Sequence, residues 1–325
     1  MTFRNCAYLT TLVFILGGCG GPAKPALVPL TEAHNKFVEI CKKDYQLEVK
    51  LFPLKNTVWI YLPIDHPIVD YKATEKKAED TKAGNERFNV NFLETTFKDG
   101  VFTVEHDISM VKSYPKDYGY ASNYTEEYNT KYRAVFSAVM QAYFSVGAEL
   151  GENIRVVQLN THHKAEGVPE FFVISIADTE RGIQIRFLMN LEDYRKQAAG
   201  HLPPEEYTQR IIYEMSGDPA IIGDLEGGHL DYREITWGEF LAGQITGRVN
   251  FKYGRSSFPP SVDTKAEVLH LVYRAVSAYD FQDFTAVELR DLRDGSTLRV
   301  TREELQAHKK APLPEGGKLH TIKFF

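Results

Sequence analysis

The chain has 325 residues, 43% of them hydrophobic and 12% aromatic, with a formal net charge of −6. That composition excludes a disordered spacer, and the length suffices for a large core or for two domains. The mild acidity excludes an electrostatic footprint for nucleic acid or for anionic headgroups.

The chain opens with Arg4, an apolar run from Ala7 to Leu16, and the small residues Gly17 and Gly18 before Cys19. The run is about ten residues, roughly half of what a bilayer-spanning helix needs, so it reads as a secretory signal over residues 1–18. Leu16-Gly17-Gly18-Cys19 resembles the lipobox of bacterial lipoproteins. The resemblance implies cleavage before Cys19, a diacylglycerol on its thiol and an acylated amine. Several acyl chains give a lasting hold that one chain does not. Gly20, rather than an aspartate, follows the cysteine, which within that family points to the outer membrane, facing the periplasm. Only the leader carries this resemblance.

Of the three cysteines, Cys6 leaves with the leader and Cys19 is acylated, so Cys41 has no intrachain disulfide partner. Residues 19–30 contain Pro22, Pro25 and Pro29 and read as a semi-extended tether. The body, 31–325, reads as α+β with weak internal boundaries near 113–124 and 253–262.

Thr31 and Glu32 start a first helix whose stripe is Phe37, Ile40, Cys41 and Tyr45. Cys41 on that stripe reads as a small buried side chain. Strands are expected at 47–52 and 57–62. The polar, lysine-rich stretch 63–87 reads as an excursion. Asp99-Gly100 then turns a hairpin that pairs Phe97 with Phe102, Thr95 with Val104 and Leu93 with His106 on a core face. A long helix is expected from about Thr125 to Val146. Strands follow at 170–177, apolar on both faces and so central, and at 183–189, with Gln184 and Arg186 on one side. Helices are expected at 191–199, 204–215 and 237–250, the last opened by a Thr236–Glu239 capping box. Thr264 with Glu267 caps a helix to Tyr279. Asp294-Gly295 turns a hairpin between 285–291 and 296–300, and Thr301 with Glu304 caps a short last helix. Ile322 to Phe325 reads as a docked terminal strand.

A helix–strand–turn–strand order recurs at 32–62, 126–189 and 264–300. The expected architecture is therefore about three helix–hairpin units, forming one or more antiparallel sheets with helices on one face.

No H-E-x-x-H, G-x-S-x-G, phosphate-binding loop or paired-cysteine metal motif occurs in the sequence. The most suggestive polar cluster is Asp218, Asp224, Glu226, His229 and Asp231 on a glycine-bearing connection. Four acids and a histidine suit a hard cation or a positioned water, although glycine with aspartate is also what a plain loop needs. A second cluster is tyrosine-rich. Tyr114, Tyr118 and Tyr120 suit a partner surface, whereas Tyr124, Tyr128 and Tyr132, four apart, extend the stripe of the long helix. His162-His163 and Asp65-His66 read as turn or link residues.

The sequence thus points to a membrane-anchored envelope lipoprotein, a binding or assembly component with no identifiable catalytic site. Its expected partners are the membrane, through Cys19, and an envelope protein or glycan. The alternative is an envelope hydrolase or metal-dependent enzyme that uses the 218–231 loop. No cofactor is implied.

Overall fold

A computed structural model describes residues 27, 29–75, 86–111, 118–143, 169–255, 257–259 and 261–306. Cys19, Tyr114, His162-His163 and Ile322 to Phe325 lie outside the described residues, as does most of the tether. The fold is α+β.

The first lobe begins with α1 (Glu32–Asp44), capped by Thr31, whose hydroxyl accepts from His34 N while the His34 ring accepts from Thr31 N. It continues with β1 (Lys50–Pro53) and β2 (Thr57–Ile64), then, later in the chain, α2 (Glu126–Tyr143), β7 (Phe171–Asp178) and β8 (Ile183–Asn190). β9 (Ile212–Gly217) completes a sheet ordered β1-β2-β7-β8-β9. β7 is central and buried throughout, as its two apolar faces require. One face of this sheet packs Ile60, Ile174 and Phe187 beneath Phe37 and Cys41 of α1 and Val135 and Val139 of α2. Cys41 is a buried free thiol.

The second lobe is built on β4 (Glu86–Lys98) and β5 (Val101–Val111), joined as expected at Asp99-Gly100. Both turn residues have positive φ, the geometry of a tight hairpin turn. Phe97 faces Phe102, Thr95 faces Val104 and Leu93 faces His106. β10 (Ser257–Phe258), β11 (Ala286–Asp291) and β12 (Ser296–Thr301) complete the order β10-β4-β5-β11-β12. α5 (Trp237–Arg255) and α6 (Thr264–Ser277) close its core through Leu241, Ile245 and Val272, and α7 (Arg302–Leu305) adds Leu305. Two short helices, α3 (Leu191–Ala198) and α4 (Pro204–Thr208), follow β8 in the first lobe. β3 (Val69–Glu75) and β6 (Tyr118–Tyr124) form a separate two-stranded ribbon.

Both large sheets share one plan. Two hairpins meet along a central parallel pair, β2 with β7 and β5 with β11. The sheets are therefore mixed and not purely antiparallel, because a helix crossover returns each second hairpin in the parallel sense. The recurring helix–hairpin units are α1-β1-β2, α2-β7-β8 and α6-β11-β12. The first two share a sheet and the third lies in the other lobe. The lobes are interleaved in sequence, since β4–β5 is inserted between the two halves of the first.

Three local expectations are corrected. The stretch 63–87 contains β3, paired with β6. The helix expected over 204–215 stops at Thr208, and Ile212 onward pairs with β8 as β9. Asp263, not Thr264, caps α6, its carboxylate accepting from Lys265 N and Ala266 N.

Candidate functional site

The second face of the first sheet is covered by the segment 218–236, which β2 holds in place. Thr57 Oγ1 accepts from Ile235 N at 2.9 Å, Asn56 Nδ2 donates to the Ile235 carbonyl at 2.9 Å, and Trp59 Nε1 donates to the Arg233 carbonyl at 2.8 Å. Trp59, Phe171 and Val173 pack there against Ile235 and Phe240, and Tyr61 and Ala177 against Ile221 and Leu230.

This segment carries the acid-and-histidine cluster, and the fold disperses it. Asp218 caps a single 3₁₀ turn, accepting from Ala220 N at 2.8 Å. Glu226 reaches outward to Lys50, 2.9 Å away. Only Asp224 and His229 meet: Asp224 Oδ2 accepts from His229 N at 2.8 Å and lies 2.9 Å from His229 Nδ1. Burial opposes ionisation of Asp224. The His229 ring and the amides of His229, Gly228 and Glu226 outweigh it and hold the carboxyl well below the usual range.

With Nδ1–H given to Asp224, His229 Nε2 is an acceptor and faces the Gln184 amide nitrogen at 3.1 Å; the tautomer follows from these partners. Gln184 Nε2 also donates to Ser175 Oγ at 2.5 Å. The Tyr61 hydroxyl donates to the Asp224 carbonyl at 2.5 Å, and its ring meets the His229 ring edge-on. The pair is thus a half-buried polar strut pinning the loop to β2, β7 and β8. Both ring nitrogens of His229 face protein groups, which leaves neither directed at an open coordination position. Among the described residues no group of three or more His, Cys, Asp or Glu side chains is placed to hold a metal.

Asp231 goes elsewhere, to a groove of about 200 Å³ between this segment and the sheet. Trp59 and Val173 form its floor, Arg186 and Leu188 of β8 and Ile212 and Glu214 of β9 its far side, and Asp231, Arg233 and Ile235 its near wall. The Arg186 guanidinium lies over the Trp59 ring, 5.6 Å from its centroid. It reaches Glu214 at 3.3 Å and Gln184 Oε1 at 3.4 Å, while its Nε is buried without a hydrogen-bond partner among the described residues. Arg233 is held by Glu239 at 2.6 Å. Apolar floor and opposed charges together suit a ligand with both character types.

The tyrosine cluster divides. Tyr118 and Tyr120 lie on β6, in register with Glu75 and Ala73. Tyr128 is buried, as the packing reading requires, and Tyr124 is exposed, with its hydroxyl against that of Tyr213. His66 Nδ1 lies 3.1 Å from Glu127 and 3.2 Å from Asp65.

Sequence reasoning singled out Asp231 and noted Arg186 but missed Trp59, Glu214 and Arg233. An isolated arginine facing inward on a strand beside an apolar central strand was the available signal. No protein-family model, curated protein or solved structure matches this chain.

Proposed function

We propose that this chain is a lipid-anchored protein of the bacterial envelope, held through Cys19 at the periplasmic side of the outer membrane, that acts by binding another envelope component. The leader supplies the location: a short apolar run ends at Leu16-Gly17-Gly18-Cys19. The observation that carries the binding reading is the groove where Arg186 lies over Trp59 and Asp231 stands opposite. An envelope protein or a glycan is the class of partner. The Asp224–His229 pair supports a structural role and not hydrolysis, because Gln184 occupies the nitrogen a catalytic histidine would use.

The test is crosslinking in cells from a photoreactive residue at position 231. A discrete crosslinked species, lost when Arg186 is replaced by Glu, is expected. Recovery of uncrosslinked chain alone, at wild-type abundance, would remove the binding reading.

A further inference from the structure

Registers across the first sheet give the groove a direction. Trp59, Val173, Leu188 and Ile212 lie in one row across β2, β7, β8 and β9. The next row on the same face, two residues along each strand, runs Tyr61, Ser175, Arg186 and Glu214. The groove takes in the whole first row and the Arg186–Glu214 end of the second, so it is apolar at one end and charged at the other. Its near wall runs the same way. The covering segment packs Ile235 against Trp59 and Leu230 against Tyr61, which sets Asp231 beside the polar row.

The sign of the charge follows from what the groove leaves uncompensated. Arg233 is held by Glu239, outside the groove, and Arg186 pairs with Glu214. Asp231 has no hydrogen bond or ion pair with any described residue, so one carboxylate is left over at the polar end. Size narrows the occupant further. The volume of about 200 Å³ is below the roughly 300 Å³ at which pockets for drug-sized ligands begin. It suits one long side chain and not a run of sugar rings.

We propose that the groove seats a single lysine side chain of a partner polypeptide, with its methylenes along Val173, Leu188, Ile212 and Ile235 and its ammonium at Asp231. This rests on the binding reading and names its ligand class. A lysine divides as the groove does, an apolar stem ending in a compact charge. Arginine fits less well, because Arg186 already covers the Trp59 ring on which a second guanidinium would stack.

The experiment uses the full-length chain in detergent micelles with isotope-labelled tryptophan. The Trp59 indole N–H, bonded to the Arg233 carbonyl, reports on the groove by NMR, and Trp237, which does not line it, is the internal reference. The ligands are Nα-acetyl-lysine N-methylamide and its norleucine and glutamate counterparts. The lysine compound is expected to shift the Trp59 signal saturably and to bind at least about threefold more tightly than the norleucine one, the effect of one exposed ion pair. Asp231→Asn is expected to remove that preference and to leave the ligand-free Trp59 signal in place. Equal affinity of the lysine and norleucine compounds, tighter binding of the glutamate compound, or a preference that survives Asp231→Asn would overturn the proposal. The crosslinking probe at position 231 forfeits only this about threefold, so covalent capture survives it. If no compound shifts Trp59 while that crosslink persists, the lysine proposal fails and the binding reading stands. If the crosslink is also absent, both fail.

Discussion

The guanidinium of Arg248, fully buried on α5, donates to Glu206 of α4 at 2.8 Å. Arg274 of α6 donates to the other oxygen of the same carboxylate at 2.8 Å, and Arg210 to the first at 3.0 Å. Arg210 also reaches Asp193 at 2.8 Å, and the Tyr279 hydroxyl bonds the same Asp193. Gln244 completes the network, donating to Arg210 O at 2.8 Å and Tyr279 Oη at 2.7 Å. α3 and α4 belong to the first lobe, α5 and α6 to the second, so one carboxylate ties the lobes together. Removing its charge leaves the buried Arg248 without a counter-ion, the costly half of a broken pair. Glu206→Gln is expected to destabilise by about 3–5 kcal/mol in urea unfolding. A loss well under 1 kcal/mol would mean the network holds nothing.

Packing within the second lobe gives a prediction with two opposite signs on one helix. The Phe97 ring lies so close to Gly238 of α5 that an added Cβ would overlap it. Gly238→Ala should therefore destabilise by about 1–3 kcal/mol through overpacking. A Cβ at Gly247, on the same helix, meets nothing within 4 Å. Gly247→Ala should stabilise by about 0.5–1 kcal/mol, because alanine loses less backbone entropy in a helix. Thermal melts of both variants check the pair, and effects of the same sign would contradict it.

Acid sensitivity should trace in part to Asp291. The side chain is buried, and its hydrogen bond to Arg293 at 2.6 Å leads the forces that pull its carboxyl down to about 2. The folded value lies below the unfolded one, so the folded state holds the proton less tightly. The resulting stability is complete above the ordinary aspartate value near about 4 and is lost as pH falls towards about 2. The melting-temperature gap between wild type and Asp291→Asn should be constant above about pH 5 and close on acidification. A gap that widens towards pH 2 would reverse the sign of the argument.

Burial pushes the Cys41 thiol up to about 12. In a Cys6→Ser, Cys19→Ser background, a disulfide-exchange reagent at pH 8 should therefore find no reactive thiol natively and one in denaturant. Rapid native labelling would place Cys41 at the surface.

Some of this was legible in the sequence for identifiable reasons. Asp99-Gly100 fixes the β4–β5 register, and the apolar run on both faces of 171–178 marks a central strand. The helix–hairpin recurrence also holds at the level of element order. β9 was misread because Tyr207, Ile211 and Met215 recur every four residues, a helical period. Pairing with β8 overrode it. That error hid Glu214, and with it the groove. The parallel pairs β2–β7 and β5–β11 were illegible because no local pattern states which distant strands adjoin. Of the five residues grouped on the 218–231 loop, Asp224 and His229 meet; their further partners, Gln184 and Ser175, lie on other strands.

Residence at the membrane surface is the claim on which the envelope reading rests, and intact mass of the mature protein with detergent phase partitioning tests it directly. A chain starting at Cys19 and heavier by a diacylglycerol and an acyl group, recovered in the detergent phase and shifted to the aqueous phase by Cys19→Ala, is the expected result. An unmodified amino terminus further along the chain, recovered in the aqueous phase, would contradict it.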